Sequence, residues 1–330
     1  MTDLRLTLEP VDSVTITVLV DNVSDALMLD QGPAKRTGLA STGPMPQIAA
    51  PTLEGGKTID ALLAEHGFSC LVTIRKDGRE HRVLFDAGLT PDGMVENMRR
   101  LGISPKDIEA IVLSHGHFDH TTGLAGLVRV LGRPGLPVII HPEFWTQRRI
   151  VIPGREPFEL PSTSRPALTG AGFEIVEDRS PSFLMHGSIL VTGEVDRTTE
   201  FERGFAVHQA LRGGAWEPDP LILDDQALIV HVRDRGLVVL TGCGHAGIVN
   251  IAAYARRLTG IDRLYAVIGG FHLTGPLFEP IIGQTCDALA AFSPEYIMPA
   301  HCTGWRAQHA LAARFGDAYI PNSVGTRFEL

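Results

Sequence analysis

Residues 115–120 read HGHFDH, which places three imidazoles and one carboxylate within six positions. The string directly follows an apolar run at 110–113 that is typical of a buried strand. Side chains two residues apart in an extended segment point the same way, so His115 and His117 can bind one cation. Asp119 and His120 come beyond the turn and can reach a second cation. The spacing therefore predicts a two-metal site at the end of a strand.

The ligand types of this site suit several metals. Imidazole nitrogens and a carboxylate bind Zn²⁺, Fe and Mn²⁺. We predict two divalent metal ions, with Zn²⁺ as the first choice and Fe or Mn²⁺ as alternatives. Three protein ligands per metal leave a position open for water, and a bound cation lowers the pKa of that water to about 7. Asp119 is placed to orient this water or to accept its proton, which predicts metal-dependent hydrolysis.

Other stretches of the chain accompany this string. They read LVDN at 19–22, EHGFS at 65–69, LFDAG at 84–88, DIEAIVLS at 107–114, TGCGHAGIVN at 241–250, GGFHL at 269–273 and PAHCTG at 299–304. Together they resemble the metallo-β-lactamase superfamily of metal-dependent hydrolases. Within it they resemble the subgroup named after 7,8-dihydropterin-6-methyl-4-(β-D-ribofuranosyl)aminobenzene 5'-phosphate synthase, a methanopterin-pathway enzyme. The resemblance extends over nearly the whole chain.

The resemblance also suggests which later residues complete the metal site. His301 directly follows a predicted strand at 296–298 and occupies the place of the superfamily's last His, so we assign it to the metals. The superfamily's usual third His is missing, because the stretch before the strand at 227–232 reads LDDQ. His245, at the start of a helix after the strand at 237–241, is the expected replacement, with Asp225 as a weaker alternative. The predicted ligands are thus His115, His117, Asp119, His120, His245 and His301.

Three further residues leave alternatives open. Cys243 stands where many members of the superfamily carry an Asp, and its thiolate is a competent ligand, although a small buried residue in a tight turn explains it equally well. His208 and His186 are possible substitutes for the missing ligand. Each stands alone in the sequence, which favours a structural role.

His272 follows a Gly-Gly turn at the end of the predicted strand 264–268. We predict that it binds the substrate or protonates the leaving group, and a metal-ligand or structural role is the alternative. Asp119 and His272 are therefore the predicted catalytic residues. Asp86 resembles the superfamily's Asp that orients a ligand His. The subgroup pattern also includes Asp21, Asn22, Glu65 and His66, without a role for any of them.

The elements that must position these residues alternate between strand and helix. Strands are predicted at 14–20, 70–74, 82–85, 111–113, 137–140, 189–191, 227–232, 237–240, 264–268 and 296–298, and helices at 92–101, 247–258, 279–292 and 306–315, with another opening at 124. The pattern and the resemblance both imply an α/β fold, an αββα four-layer sandwich, as a single domain over 1–330. Three stretches near 31–57, 145–167 and 197–220 fit no regular element and are predicted to be pocket-lining insertions. Disordered insertions are the alternative, above all for 31–57.

Composition narrows the partners. The chain has 330 residues, 44% of them hydrophobic and 20% charged, and its net charge of −9 argues against a nucleic-acid surface. No apolar stretch approaches the ~20 residues of a membrane span, and the N-terminus lacks the pattern of a signal peptide. Four widely separated cysteines suit free thiols in a reducing cytoplasm. We therefore expect a cytoplasmic protein with a small-molecule substrate and no nucleic-acid or membrane partner, and the sequence leaves its oligomeric state open.

The function predicted first is a metal-dependent hydrolase at a dinuclear site, acting on an ester, lactone, phosphodiester or C–N bond. A pterin-joining transferase of the methanopterin-synthase type is the alternative that the subgroup's name suggests. The acidic chain has no evident phosphate-binding Gly-rich loop or Arg cluster to support it. An iron-dependent redox enzyme on the same fold is the third hypothesis.

Overall fold

The structure, a computed structural model, describes residues 5–38, 46–133 and 135–330. Its strands are Ser13–Val20 (β1), Ala34–Lys35 (β2), Gln47–Ala49 (β3), Lys57–Ile59 (β4), Ser69–Lys76 (β5), Arg79–Phe85 (β6), Ala110–Val112 (β7), Pro137–Ile140 (β8), Arg148–Ile150 (β9), Phe158–Glu159 (β10), Glu174–Glu177 (β11), Ser182–Leu184 (β12), Ile189–Val191 (β13), His208–Arg212 (β14), Ala215–Pro218 (β15), Ala227–Val232 (β16), Gly236–Thr241 (β17), Leu264–Gly270 (β18), Tyr296–Ala300 (β19) and Arg327–Glu329 (β20). The α-helices are Gly93–Arg100 (α1), Leu124–Leu131 (α2), Arg165–Ala171 (α3), Ile248–Thr259 (α4), Ile282–Phe292 (α5) and Trp305–Phe315 (α6). Short 3-10 helices lie at Pro105–Asp107, Phe118–His120, Pro142–Trp145, Met185–Gly187, Glu279–Ile281, His301–Thr303 and Gly316–Ala318.

The first large sheet has the strand order β11-β8-β7-β6-β5-β1-β20-β2. Its side chains alternate between two buried faces, as the period of two in a strand requires. Leu84 and Ile111 pack with Met94 of α1 and Leu127 of α2, whereas the neighbouring residue Val83 points to the opposite side. Both faces of this sheet are therefore covered, one by helices.

The second large sheet has the order β12-β13-β16-β17-β18-β19. Val239 and Val267 pack outward against α4, α5 and α6. Leu240 and Ile268 point inward and share one buried cluster with Val83 of the first sheet. The resulting order of layers is helices, sheet, sheet, helices, which confirms the predicted αββα four-layer sandwich. Among the described residues, no helix is both long enough and apolar enough to cross a bilayer.

The prediction that 145–167 and 197–220 contain no regular elements is wrong. Strands β9 and β10 come from the first stretch and β14 and β15 from the second, and they form a small sheet in the order β10-β9-β14-β15. Each strand has only two to five residues, and β9 pairs with a strand that lies far along the chain, so no local periodicity reveals them. The stretch 31–57 contains β2 and β3 and reaches β4, and its residues 39–45 lie outside the described residues.

The direction of the strands brings the predicted site residues together. Strands β17, β18 and β19 are parallel and in register, and β6, β7 and β8 are parallel in the other sheet. Carboxyl ends of parallel strands meet at one edge of a sheet, so the loops after β17, β18 and β19 are neighbours. These edges of the two sheets are joined beside residues 115–120, where the Gln226 side chain donates to the carbonyl of Leu113 at 3.0 Å.

Candidate metal centre

The structure gathers the predicted ligands into two adjacent groups. His115, His117 and His245 form what we call the three-histidine group. Asp119, His120, Cys243 and His301 form the mixed group. In each group the potential ligand atoms lie within 4.8 Å of one another, and all seven residues are buried. The HGHFDH string is thus divided between the two groups as its spacing predicts.

In the three-histidine group, nitrogen atoms face each other at contact distance. Nε2 of His115 is 2.9 Å from Nδ1 of His117, and Nε2 of His245 is 3.2 Å from the same Nδ1. Burial, together with the nearby positive groups, lowers the pKa of all three imidazoles well below 6.5. They are neutral at pH 7, and neutral imidazoles with converging nitrogens are the donors that a divalent cation requires.

The mixed group offers a carboxylate, a thiol and two imidazoles. Sγ of Cys243 is 3.2 Å from Nε2 of His120, and Oδ2 of Asp119 is 3.4 Å from Nε2 of His301. Within the described residues this Nε2 of His301 is buried without a hydrogen-bond partner. Burial raises the pKa of Asp119, but the charge of His120 and the interaction with His301 outweigh it and hold that pKa below its usual range. An ionised carboxylate beside an unpartnered nitrogen fits a second cation.

Asp86 and Ser114 fix the outer nitrogens of both groups. Oδ2 of Asp86 is 2.7 Å from Nδ1 of His120 and accepts a hydrogen bond from the Ser114 hydroxyl at 2.8 Å. The same hydroxyl is 2.9 Å from Nδ1 of His115. The predicted contact between Asp86 and a candidate ligand is confirmed. Although burial alone would lower it, the charges of Asp119 and Asp86 raise the pKa of His120 to about 9.

The chain matches the family model of the metallo-β-lactamase superfamily over residues 66–258. It belongs to this superfamily. It is 32% identical over 264 residues to the 7,8-dihydropterin-6-methyl-4-(β-D-ribofuranosyl)-aminobenzene-5'-phosphate synthase of Methanocaldococcus jannaschii, covering 78% of this chain and 87% of the relative. A solved structure described as a metal-dependent hydrolase of the β-lactamase superfamily superimposes with a TM-score of 0.69 at 25% identity, over 96% of this chain and 99% of that one. A ribonuclease Z of Thermobifida fusca is 37% identical over 83 residues, which is 23% of this chain and 24% of that relative.

Close packing around the candidate ligands of this chain explains two of its glycines. A Cβ on Gly116 would lie 2.1 Å from the carbonyl oxygen of Phe144. A Cβ on Gly242 would lie 2.1 Å from the Ser114 hydroxyl and 2.6 Å from a carboxylate oxygen of Asp86. Real side chains do not approach so closely, so a larger residue at position 116 would displace the backbone of Phe144, and one at position 242 would displace the two groups that orient His115 and His120.

His208 belongs to the site although its isolation in the sequence favoured a structural role. Its Nε2 lies 3.0 Å from Nε2 of His117, on the side of that imidazole away from the three-histidine group. Its Nδ1 lies 3.6 Å from Oδ2 of Asp219, and all three residues are buried. His208 thus stands between the Asp219 carboxylate and a candidate metal ligand, without a hydrogen bond from its Nδ1 to any described residue. Only the pairing of β9 with β14 brings it there, so no sequence signal could have found it.

The other substitutes for the missing His lie elsewhere. His186 packs edge-on against His81, with ring centroids 6.3 Å apart. Asp225 accepts a hydrogen bond from the backbone N–H of Ala246 at 2.8 Å and is in neither ligand group. Burial raises the pKa of Asp225 to about 7. Of the replacements considered for the missing ligand, His245 is the one that belongs to a ligand group of the described residues, whereas His208 contacts His117 from outside that group.

Asp21 and Asn22 hold the backbone of His301. Its φ of +48° is a left-handed conformation that non-glycine residues rarely adopt. The His301 N–H donates to Oδ1 of Asp21 at 2.8 Å, and the Asn22 side chain donates to the His301 carbonyl at 3.0 Å. These two hydrogen bonds stabilise a strained position, as is common at functional sites. Two motif residues without a predicted role therefore position a candidate ligand.

The remaining two motif residues lie at the same edge. Glu65 accepts hydrogen bonds from the backbone N–H groups of Leu89 and Thr90, at 2.8 and 3.0 Å, and so closes the loop after β6. Nε2 of His66 is 3.7 Å from Oδ2 of Asp119. His66 therefore stands next to the mixed group at its exposed side.

His272 lies at the boundary between the candidate ligands and the open space above them. Its ring centroid is 4.2 Å from that of His245 and 4.5 Å from that of Phe278. It is half-buried, and one of its ring nitrogens, together with Cys243 and His245, forms a third group of potential ligand atoms within 4.8 Å. The geometry therefore permits the predicted contact with substrate and also the alternative role as a ligand.

A cavity of about 920 Å³ opens directly over both ligand groups. Its floor includes His117, Asp119, Cys243, His245 and His301, and His272 stands in its wall. This volume falls within the range of small-molecule sites, about 300–1,000 Å³.

Proposed function

We propose that this chain is a metal-dependent hydrolase that acts on a small molecule at a dinuclear site. The observation that supports it most strongly is the pair of adjacent ligand groups at the floor of a large cavity. His115, His117 and His245 would hold one ion, and Asp119, His120 and His301 the other. Cys243 belongs to the mixed group and also to a group with His245 and His272, and its thiolate would be a further donor. Imidazole and thiolate donors favour Zn²⁺, with Fe or Mn²⁺ as alternatives.

Bound divalent ions would supply activation of water and polarisation of the bond under attack. The chain's own residues do the rest. Asp119 keeps an ionised carboxylate at the cavity floor, where it can orient a water molecule or accept its proton. His272 faces the same space from the wall, and its imidazole can donate a proton to a leaving group. Asp86, Ser114 and His208 hold the ligand imidazoles so that their inner nitrogens stay directed at the centre.

A pterin-joining transferase is the second candidate. The identity of 32% to a protein named as a pterin phosphate synthase favours it. The two candidates need the same metal ligands and differ in what the cavity must accept. Neighbouring genes for pterin cofactor synthesis would add support to the transferase.

The experiment that tests the hydrolase combines metal analysis with a substrate screen. We expect the carefully loaded protein to hold two metal ions per chain and to hydrolyse a member of a panel of esters, lactones and phosphodiesters. His309→Ala is the control for variants of the candidate ligands and should hold the same two ions, because its imidazole is absent from every ligand group of the described chain. Fewer than about half a metal ion per chain in the loaded protein would end the proposal.

A further inference from the structure

The walls of the cavity above the metal centre differ sharply from its floor. On one side the small inserted sheet and its connections contribute Ile150, Ile152 and Phe158. On the other side the loop after β18 and the start of α6 contribute Leu277, Phe278 and Trp305. All six are apolar or aromatic, whereas the polar candidates for chemistry lie together at the floor.

The apolar surface continues out to the mouth of the cavity. Trp305 keeps 74% of its surface exposed, Phe158 57%, Leu277 48% and Ile152 43%. Large apolar side chains scattered singly over a surface need no explanation, but here four of them surround one opening. Exposed apolar area around a pocket is typical of a site in which a bound ligand covers that area.

The described lining of the cavity carries no basic side chain that could bind a phosphate. No Lys or Arg lies among its lining residues in the described part of the chain, and its charged carboxylates are Asp21 and Asp119. Arg and Lys side chains form the strong charge-assisted hydrogen bonds to a phosphate monoester, and a helix start such as that of α6 at this cavity is a weaker partner. The buried Arg148 below the metal loop is already paired, at 3.0 Å to Asp219 and 3.0 Å to Asp224. A dianion in this cavity would gain no cationic side chain in exchange for its hydration.

We propose that the substrate carries an uncharged, mainly apolar group, an aryl ring or an acyl chain of medium length, and that this group fills the cavity next to the bond under attack. This inference rests on the proposed hydrolase function. It distinguishes the chain from an enzyme that binds a ribosyl phosphate in the same place. The scissile group lies at the polar floor, and the apolar walls select what is attached to it.

The test is a series of 4-nitrophenyl esters from acetyl to octanoyl on the metal-loaded protein. We expect kcat/KM to rise about fourfold for each added methylene until the cavity is filled, which is the gain from burying one methylene. An ester whose acyl group carries an aryl ring should also gain in kcat/KM, and a phosphomonoester on that ring should abolish this gain. Phe158→Ser should reduce the gain per methylene. The matched control Val176→Ser, an exposed apolar residue on the outer strand β11, should leave it unchanged.

Binding of a neutral fluorescent probe separates this inference from the proposed function. We expect 1-N-phenylnaphthylamine to bind the loaded protein, to be displaced by uncharged alkyl lactones and not by 4-nitrophenyl phosphate, and to bind Phe158→Ser more weakly. Probe binding with no turnover of any ester, lactone or phosphodiester would overturn the hydrolase and support the apolar site. Ester turnover that is flat with chain length and no probe binding would overturn the apolar site and leave the hydrolase standing. A preference for phosphorylated aryl compounds would overturn the inference in favour of the transferase.

Discussion

The Cys243 thiol lies 3.2 Å from Nε2 of His120, whose other ring nitrogen is 2.7 Å from Asp86. Burial and the neighbouring Cys302 raise the pKa of Cys243 well above the usual thiol value. Ionisation of the thiol therefore needs more positive charge than the neighbouring His120 supplies, and a metal ion would provide this.

Replacing Zn²⁺ with Co²⁺ should reveal this thiolate. We expect a sulfur-to-cobalt charge-transfer band in the near-ultraviolet spectrum of the cobalt-loaded protein, and its loss in Cys243→Ser. The matched control is Cys302→Ser, because Cys302 is the neighbouring thiol and is in no ligand group of the described residues. A band that survives in Cys243→Ser and disappears in Cys302→Ser would show that Cys302 is the sulfur ligand, and the assignment to Cys243 would be wrong.

His245→Ala should lower the metal content and not merely the turnover. The substitution removes one of three nitrogens from a group that has no other donor of its own. We expect the loaded variant to hold about one metal ion per chain instead of two, by elemental analysis, with His309→Ala at two. If His245→Ala still holds two ions, the third ligand is another residue, and Asp225 or Cys243 would be tested next.

His208 is expected to act as a positioning residue. Loss of an outer partner of a metal-ligating His typically costs 10- to 100-fold in metal affinity. His208→Ala should therefore weaken metal binding by about 10- to 100-fold in competition with a chromophoric chelator, with the same stoichiometry at saturation. Asp219→Asn should have a smaller effect in the same direction, because it acts through His208. An unchanged affinity in His208→Ala would reduce its contact with His117 to packing alone.

His272→Ala should keep two metal ions and the fold while losing activity. Removal of a general acid typically costs about 10²- to 10⁴-fold in rate. The pH profile of the variant should also lack a limb that the unmodified protein shows. Metal loss in this variant would make His272 a ligand, and unchanged kinetics with several substrates would make it structural.

After chelation, the protein should become less stable as the pH falls from 6.5 towards 5. His115, His117 and His245 have pKa values well below 6.5 in the folded chain, so the unfolded chain binds protons there that the folded chain does not. Asp225 acts in the opposite direction, because its pKa of about 7 lets the folded chain hold a proton that the unfolded chain releases. The three imidazoles outweigh Asp225 and His120, most strongly towards pH 5, so the unfolded chain binds more protons in this window.

The expected loss is about 1 kcal/mol or more per pH unit. His120 opposes this slope near pH 6.5, because its pKa of about 9 keeps it protonated in the folded chain while the unfolded chain is losing that proton. Its stabilising effect is fully present below pH 6.5 and is lost as the pH rises towards and through 9. Urea unfolding with excess chelator at several pH values between 5 and 6.5 measures the slope. A free energy of unfolding that stays constant or increases towards pH 5 would contradict the assignment of neutral imidazoles.

The parts of the site that the sequence predicts are those that local rules determine. His115 and His117 are two apart directly after a strand, and that spacing places both nitrogens on one side. His245 and His301 follow strands whose ends must lie together in a parallel sheet. His208 obeys no such rule, because its place depends on a strand pairing between distant insertions.

The same distinction between local and long-range determinants explains which strands could be predicted from the sequence. Strands with long apolar runs, such as β16 and β17, were predicted nearly to their ends. The edge strand β11 and the strand β20 between β1 and β2 are short and partly exposed, so their sequences show no period of two that stands out from a loop. Asp21 and Asn22 were noticed only through the subgroup pattern, because their function depends on the backbone of a residue that lies 279 or 280 positions away.

The pairing of β9 with β14, in which Ile150 lies opposite His208, also constrains how this chain can diversify. The two strands are encoded far apart, so a recombination event with a relative that exchanged only one of them would leave the other without its partner. New substrate preferences are therefore expected to be inherited as a pair of insertions. Because His208 on β14 also supports His117, such an exchange would alter metal affinity together with substrate choice. Directed evolution of the wall would have to select for both properties at once.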